Sequence, residues 1–421
     1  MRIVILSINY WPEETGIGAF TTCRAEYLAS VGHEVTVCTT FPYYPEWKVA
    51  DAYRGRLAQT EERKGVRILR SYAYVPRPVT SLKRLLHEAS FVAGSLVRAI
   101  AAGRPDVLLV VSPPLGLALS AVLLSRMWRI PFVFDVEDLQ PDAAAELGML
   151  PKWALRFLYA IERMAYRNAS QVSTITRGMR TNIVRKGVPP EKVVLFEPRA
   201  DDALFDIGVE EGLAFRQKFG LEGKFLVTHS GNLGVKQGLE VVLEAAALNR
   251  EDESLVFVLV GNGSARDFIM QRAGQMQLNN VRFLPLLGEQ EFRGLLGASD
   301  VCLVTQRKSV SDIVFPSKLV TYFAAGCPVI ASVNPASEAA QAVRDSGAGL
   351  VVEPEDAVAL RNAIRALRSC DLQEHQRFAR SYAGLRWSPA RVLKFVERSL
   401  AAVSRTVPDP FAEHGTESLE P

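Results

Sequence analysis

The segment FPSKLVTYFAAGCPVIAS, residues Phe315–Ser332, predicts a short helix followed directly by a buried strand. The helix begins after Pro316, and the turn sequence GCP ends it before the apolar run Val329–Ser332. At the start of a helix, free backbone N–H groups favour an anion. The hydroxyl of Ser317 and the ammonium of Lys318 would flank those groups. The stretch therefore predicts an α/β sheet with a phosphate site at this junction.

A second junction of this kind is SGNLGVKQG, residues Ser230–Gly238, which follows the apolar run Phe225–His229. Gly231, Asn232 and Gly234 stand just past the end of that predicted strand, where small residues let the backbone approach a ligand. Two anion junctions in one half of the chain indicate a nucleotide diphosphate that lies across several strand ends. This is the pattern of a binding site for an activated sugar.

Size and composition indicate a two-domain globular protein. The chain has 421 residues, of which 48% are hydrophobic and 23% are charged, and two domains of about 200 residues each are expected. A net charge of +3 gives no indication of nucleic-acid binding. The five cysteines form no CxxC pair and have no histidine at ligand spacing, which argues against a metal site and for a reducing compartment.

Targeting signals are not evident in the sequence. The N-terminal apolar run Ile3–Ile8 is too short for a signal peptide. The longest uncharged run, Val107–Ser125, is broken by SPP and a glycine, so a buried strand, a turn and a helix explain it better than a membrane span. We therefore expect a cytoplasmic protein whose membrane contact, if any, is peripheral.

Strand and helix patterns alternate along both halves of the chain. Continuous β-branched runs separated by helices predict parallel sheets covered on both faces. This alternation is interrupted at Phe196–Asp206, where we place the linker between the domains. We expect an α/β fold of two doubly wound Rossmann-like domains that face a central cleft. The predicted parts are an N-terminal domain over 1–198, a C-terminal domain over 199–386, a C-terminal helix over 387–404 and a disordered tail over 405–421.

Five separated segments resemble the retaining glycosyltransferases of family 4, especially the subgroup that acts in colanic acid biosynthesis. They are NYWPEETGIGAF (Asn9–Phe20), FPYYPEW (Phe41–Trp47), SLKRLLH (Ser81–His87), SGNLGVKQGLE (Ser230–Glu240) and PSKL (Pro316–Leu319). The resemblance covers Met1–Val403 and implies the GT-B fold, with the acceptor on the first domain and the nucleotide sugar on the second. It also implies transfer to a polyprenyl-pyrophosphate-linked exopolysaccharide intermediate, and it points to GDP-fucose as donor.

The predicted diphosphate site departs from the family pattern. Where most members carry an arginine and a lysine, this chain has Asn232 and Gln237, and Lys236 stands one position early. A diphosphate needs cations, so they must come from elsewhere. The expected suppliers are Lys318, with Ser317 beside it, and the pair Arg307 and Lys308 after the strand Val301–Thr305.

The paired glutamates of the family are also missing here. Their positions correspond to Ile313 and Thr321, so Thr321 offers only a hydroxyl to the ribose. Glu338 is another candidate for a sugar or ribose hydroxyl, with a solvated carboxylate at a helix start as the alternative. Near the N-terminus, the resemblance places Gly16 and Gly18 of the TGIG segment against the donor phosphates and the acceptor, with a tight turn as the alternative.

An acidic loop follows the predicted strand Phe132–Val136. Its carboxylates, which can accept protons from acceptor hydroxyls, are Asp135, Glu137, Asp138 and Asp142. Family members often have a histidine where this chain has Glu137, but Asp138 matches the pattern. We therefore predict Asp138 and Lys318 as the catalytic residues, with helix capping as the alternative for the acidic loop.

The resemblance implies same-face attack, in which the leaving phosphate oxygen takes the acceptor proton and no covalent nucleophile, metal or other cofactor is needed. Three alternatives stay open. A sugar-nucleotide epimerase of the same fold would turn over its substrate without an acceptor, and a non-catalytic protein would only bind it. A dehydrogenase is disfavoured, because neither half has a glycine fingerprint followed by a ribose-binding acid.

The segment Ser81–Ile100 predicts a helix with a leucine-rich face. We expect that face to be buried, while Arg84, His87 and Arg98 surround an exposed Phe91 on the other side. Such a surface fits anionic lipid headgroups at the inner face of the plasma membrane, where a lipid-linked acceptor would be held. The alternative is a core helix with Phe91 packed against a neighbouring loop.

Overall fold

The computed structural model describes residues 1–13, 16–146, 150–310 and 315–405. The chain folds as two units, one of Met1–Glu197 with the chain from Leu393 onward, the other of Pro198–Val392. The second unit thus extends six residues beyond the predicted end at 386. The predicted tail falls, apart from its first residue, outside the described residues.

The first unit contains an eight-stranded sheet with strand order β3-β4-β2-β1-β5-β6-β7-β8. The strands are β1 (Arg2–Leu6), β2 (Glu34–Thr40), β3 (Ala58–Arg63), β4 (Val66–Ser71), β5 (Val107–Ser112), β6 (Phe132–Val136), β7 (Gln171–Thr174) and β8 (Val193–Leu195). β3 pairs antiparallel with β4, and the other neighbours are parallel. The antiparallel hairpin differs from the predicted all-parallel sheet. Lys64 and Gly65, with φ of 48° and 76°, form its two-residue turn, since such turns require positive φ.

In the described part of this unit, six α-helices connect the strands. They are α1 (Ile17–Ser30), α2 (Ser81–Ala102), α3 (Leu117–Trp128), α4 (Gln140–Glu146), α5 (Lys152–Asn168) and α6 (Arg177–Arg185). Thr80 caps the N-terminus of α2: its hydroxyl accepts a hydrogen bond from the Lys83 backbone N–H. α2 packs against α3, and α3 packs against α5, so these three helices form one layer of the first unit.

The orientation of α2 is the reverse of the prediction. Phe91 and His87 are buried, at 0% and 1% exposure, whereas the leucine-rich face is open to solvent. Small residues on the same side bring α2 close to the sheet: a Cβ on Gly94 would lie 2.7 Å from Ser71 Oγ, so glycine lets the helix approach β4 closely. His87 also meets Tyr43 edge to face, with ring centroids 4.6 Å apart and an interplanar angle of 65°. The predicted docking surface around an exposed Phe91 is therefore wrong.

The second unit contains a six-stranded parallel sheet with strand order β11-β10-β9-β12-β13-β14. The strands are β9 (Phe225–Asn232), β10 (Leu255–Asn262), β11 (Val281–Leu284), β12 (Val301–Thr305), β13 (Val329–Ser332) and β14 (Gly349–Val352). The helices are α7 (Val209–Phe219), α8 (Glu240–Ala247), α9 (Arg266–Gln275), α10 (Glu289–Ala298), α11 (Lys318–Ala324), α12 (Glu338–Ser346), α13 (Ala357–Arg368) and α14 (Leu372–Trp387). The strand order reverses between β9 and β12, so the carboxyl ends of these two strands form the topological switch point of the sheet.

The last predicted helix, Trp387–Val403, is two elements in the structure. α14 ends at Trp387, and α15 (Pro389–Arg405) begins two residues later. Ser388 between them is extended, with φ of −60° and ψ of 138°. Proline disfavours a helical conformation in the residue before it and suits the first helical position, so Pro389 ends one helix and starts the next.

Candidate active site

At their carboxyl ends, β9 and β10 approach each other closely through two glycines, which have no side chains. Gly231 pairs with Gly261 in the parallel register, and a Cβ on Gly261 would lie 1.9 Å from the Gly231 carbonyl oxygen. The φ of 134° at Gly261 is also in the region that favours glycine. Gly231 and Asn232 are exposed, as a ligand site requires. The sequence analysis missed Gly261, although the strand-end pattern VGNGS was a visible signal.

Lys318 lies at the start of α11, and its ammonium meets a histidine at the end of β9. Its Nζ is 2.9 Å from Nε2 of His229. Burial lowers the pKa of Lys318 to about 7. Burial and the adjacent ammonium hold the pKa of His229 well below its usual range, so His229 is neutral and accepts from Lys318. Because burial destabilises this ammonium, a nearby anion would stabilise it strongly.

A tyrosine ties the same two elements together. Tyr322 on α11 is fully buried, and its hydroxyl oxygen accepts a 2.9 Å hydrogen bond from the Ser230 backbone N–H. The Ser230 hydroxyl lies 3.0 Å from the same oxygen. The structure thus brings the two predicted anion junctions to one place, at the switch point of the second unit. Ser317 is exposed beside them and precedes α11 without capping it.

Arg307 lies at this edge but already has partners. Its Nε donates to the Val235 carbonyl at 2.7 Å, and its guanidinium forms ion pairs with Glu240 and Glu355. These contacts fix the loop between β9 and α8 to the end of β12. Arg307 would have to leave them to bind a phosphate, so the structure favours a role in holding the loop over the predicted phosphate contact.

Lys236 is the more accessible cation of this loop. It is exposed, and no carboxylate within the described ranges pairs with it. Gln237, which replaces a family cation, turns inward, where its Oε1 accepts a 3.1 Å bond from the Gly234 N–H. Lys308 is exposed, and its backbone N–H lies 3.4 Å from Glu355 Oε2.

The ribose candidates differ in what surrounds them. Glu338 is the first residue of α12, but its side chain is only 18% exposed and lies 3.7 Å from the guanidinium of Arg386, so it is not the solvated carboxylate of the alternative, and its role toward a sugar stays a prediction. Thr321 is half-buried on α11, one turn beyond Ser317. Ile313 lies outside the described residues.

In the first unit, the acidic loop after β6 is organised by an arginine that the sequence analysis missed. Arg24 on α1 is buried, and its Nη1 contacts Asp135 at 2.5 Å and Glu137 at 2.8 Å. Ser173 donates to the other oxygen of Asp135 at 2.7 Å. Burial raises the pKa of Glu137 to about 7, because desolvation and the Asp135 charge together outweigh the attraction of Arg24. The available signal was that the first two turns of α1, Ile17–Cys23, carry no charge before Arg24.

The four loop acids therefore have different environments. Asp138 is exposed immediately after the buried triad of Arg24, Asp135 and Glu137. Asp142 instead forms an ion pair with Lys186 on α6. Of these carboxylates, Asp138 is the accessible one beside a rigid support, which is the arrangement that binding a substrate hydroxyl requires.

The TGIG loop is shaped by packing. Gly16 precedes α1 with φ of 57°, which favours glycine, and Gly18 lies in the first turn. A Cβ on Gly18 would lie 2.6 Å from the Glu13 carbonyl oxygen. Glu13 is buried and accepts hydrogen bonds from the N–H groups of Tyr43 and Tyr44. Gly18 is thus required for close packing whether or not a ligand binds nearby. Thr15 lies outside the described residues.

Comparison with known proteins identifies the family. The family described as Glycosyl transferase 4-like domain matches residues 15–198, and Glycosyl transferases group 1 matches residues 213–383. The chain is 36% identical over 392 residues to the putative colanic acid biosynthesis glycosyl transferase WcaI of Escherichia coli K12, covering 91% of this chain and 95% of that protein. The chain belongs to these glycosyltransferases.

Further relatives agree with this membership. The chain is 28% identical over 274 residues to the probable glycosyltransferase WbjE of Pseudomonas aeruginosa, covering 64% of this chain and 68% of that protein. Anabaena HepE in complex with UDP superposes with a TM-score of 0.71 at 18% identity, covering 96% of this chain and all of that one. Sucrose-phosphate synthase of Thermosynechococcus elongatus also gives 0.71 at 18% identity, covering 95% and 99%. These structures confirm the predicted GT-B fold.

The predicted enzyme class is thereby confirmed, and the epimerase and binding-protein alternatives find no support among these relatives. The individual site residues stay predictions. What the structure adds is that Gly231, Asn232, Ser317 and Lys318 belong to one edge of the second unit, whereas Glu338 and Arg307 are held by other side chains.

Proposed function

We propose that this glycosyltransferase moves a sugar from a nucleotide diphosphate donor to a lipid-linked intermediate of an exopolysaccharide of the colanic acid type. The name of the E. coli relative supports the pathway, and the resemblance makes GDP-fucose the first donor to test. Anabaena HepE was crystallised with UDP and with UDP-glucose, which supports a nucleotide sugar as the donor class.

The observation that carries the proposal is the contact of Lys318 with His229 at the switch point of the second unit. In open α/β sheets, ligands bind outside the carboxyl ends of the strands at this point. We propose that the Lys318 ammonium, the Ser317 hydroxyl and the exposed backbone at Gly231 contact the diphosphate. Lys236 would supply a further cation from the loop. The charge that grows on the leaving phosphate is then stabilised by groups already in place.

In the proposed reaction, the bond between the anomeric carbon and the phosphate oxygen breaks as the acceptor hydroxyl oxygen bonds to the same face of that carbon. The hydroxyl proton passes to the departing phosphate oxygen, and the products are the nucleotide diphosphate and the glycosylated acceptor. Asp138 accepts a hydrogen bond from an acceptor hydroxyl and orients it. As the resemblance implies, the proposed reaction needs no metal or other cofactor.

A thermal-unfolding panel of GDP-, UDP- and dTDP-sugars tests the donor, followed by calorimetry with the nucleotide that stabilises most. Lys318→Ala should weaken that nucleotide at least tenfold, because a charge-assisted hydrogen bond contributes about 1.5–3 kcal/mol. The matched control is Lys218→Ala on α7, an exposed lysine paired with Glu291, which should bind like the wild type.

Asp138→Asn should keep donor affinity and lose transfer to a lipid-linked sugar. Unchanged nucleotide affinity in Lys318→Ala would remove that residue from the site. Wild-type transfer rates in Asp138→Asn would remove Asp138. Donor turnover at full rate without any acceptor would argue for the epimerase instead.

A further inference from the structure

We infer that the outer surface of the layer formed by α2, α3 and α5 is a docking surface for an anionic phospholipid bilayer. The inference deepens the proposed function. It rests on that function in one respect, because a lipid-linked acceptor would bring the enzyme to a membrane. The surface itself is argued from its exposure, its anchoring and its charge.

Large apolar side chains are concentrated on this layer. The three helices hold 51 of the 421 residues but carry ten of the 25 large hydrophobic side chains that are exposed in the described part of the chain. Five of the ten are on α2, namely Leu82, Leu85, Leu86, Val97 and Ile100. Such a concentration of exposed apolar side chains on neighbouring helices marks an interaction site.

The neighbouring helices continue the apolar surface. α3 exposes Leu119, Leu123 and Met127, which are one helical turn apart. α5 exposes Trp153 and Phe157, at 74% and 62%. An aromatic pair on the rim of an aliphatic surface suits the interfacial region of a bilayer, where Trp in particular is enriched.

α2 is anchored on its other side, so the layer would lie on a membrane and not cross it. The segment Leu82–Ala102 has the length and apolar composition of a membrane span, and 28% of its most apolar 18 residues is buried. The buried positions His87, Phe91, Ser95 and Ala99 recur every four residues and face the sheet. With that side committed to the protein, only the leucine side can contact lipid.

The charge of the layer selects an anionic surface. α2, α3 and α5 contain eight lysines and arginines and two glutamates, a net charge of +6, whereas the whole chain has +3. Both glutamates are already bound, Glu88 by Arg84 at 3.2 Å and Glu162 by Lys186. On α5, Arg156, Arg163 and Arg167 are exposed on the same arc as the aromatic pair. A second copy of this surface would meet it with like charge, so a bilayer fits better than a homodimer.

The test is co-sedimentation of the full chain with vesicles of phosphatidylcholine containing about a third phosphatidylglycerol, and with pure phosphatidylcholine vesicles. The wild type should bind the anionic vesicles, and binding should weaken as salt is raised. Each cation near the surface strengthens binding about fivefold, so Arg156→Glu with Arg163→Glu should weaken it at least about thirtyfold. Trp153→Ser with Phe157→Ser should weaken it as well. Leu213→Ser, on an equally exposed leucine of α7, is the matched control and should bind like the wild type.

Three results would overturn the inference. The first is that the wild type does not bind anionic vesicles, and the second is that the charge-reversed variant binds them as well as the wild type does. The third is that the wild type is an oligomer in solution and the Trp153→Ser, Phe157→Ser variant is a monomer. Thermal unfolding of each variant reports whether it is folded. Donor affinity, measured on the same samples, separates the two proposals, because vesicle binding without any nucleotide affinity would contradict the proposed function alone.

Discussion

At the scale of single residues, the candidate site contains charged side chains whose burial costs free energy. Lys318 is enclosed against a neutral histidine, and Arg24 is buried between two carboxylates. The candidate roles of Lys318 and Asp138 could be predicted from the sequence, because Lys318 opens a helix and Asp138 follows a strand. The contact of His229 with Lys318 and that of Arg24 with Asp135, in the strand before Asp138, could not, since the two members of each pair lie over 80 residues apart along the chain and no local pattern connects them.

The pKa of Lys318 predicts how nucleotide affinity depends on pH. Without ligand the pKa is about 7, and a bound diphosphate stabilises the ammonium and raises it. Binding above pH 7 therefore takes up a proton, and affinity should be highest below pH 7 and fall by up to about tenfold per pH unit above it. Calorimetry from pH 6.5 to 9 measures this dependence, which Lys318→Ala should lack. A wild-type affinity that is flat across that range would contradict the assignment.

The buried triad predicts a large effect on stability. Arg24→Met leaves Asp135 and Glu137 buried without their cation, and breaking a buried pair in this way costs about 3–5 kcal/mol. Urea unfolding should show that loss, whereas Arg163→Met, an exposed arginine of α5, should change stability by less than about 0.5 kcal/mol. A loss in Arg24→Met no greater than in the control would mean that the triad contributes little.

At the scale of elements, the strands of continuous apolar residues are the part of the fold that the sequence predicts best. Val107–Ser112 and Phe132–Val136 lie where the runs of buried residues place them. β3 was missed because its sequence, AQTEER, is polar and belongs to an exposed hairpin. α2 was assigned the wrong face, because the rule that leucines face inward fails where an apolar surface is left exposed and small residues are used for close packing.

The close approach of β9 and β10 at Gly231 and Gly261 gives a prediction at this scale. Gly261→Ala would force a Cβ into the Gly231 carbonyl, so the two strand ends must separate and the predicted diphosphate site must open. We expect clear destabilisation and loss of nucleotide binding. Gly274→Ala on α9 is the control, because its Cβ would meet open space and helical alanine stabilises by roughly 0.5–1 kcal/mol. A Gly261→Ala protein with wild-type stability and affinity would contradict the assigned close approach.

At the scale of the whole molecule, two Rossmann-like units and the glycosyltransferase family are established, and the family motifs already indicated both. Motifs predict this much because strand–turn–helix junctions have a local sequence signature. The donor base, the sugar and the acceptor lack such a signature, since they depend on side chains that the fold assembles from distant segments.

The central claim is that the donor nucleotide binds at the switch point of the second unit. Hydrogen exchange of the full chain, measured by mass spectrometry with and without the nucleotide sugar that stabilises it most, tests this claim directly. We predict slower exchange in peptides that cover residues 229–238, 261–263 and 315–324, with α7 unchanged. Protection confined to the first unit, or none at those three segments under saturating nucleotide, would contradict the account.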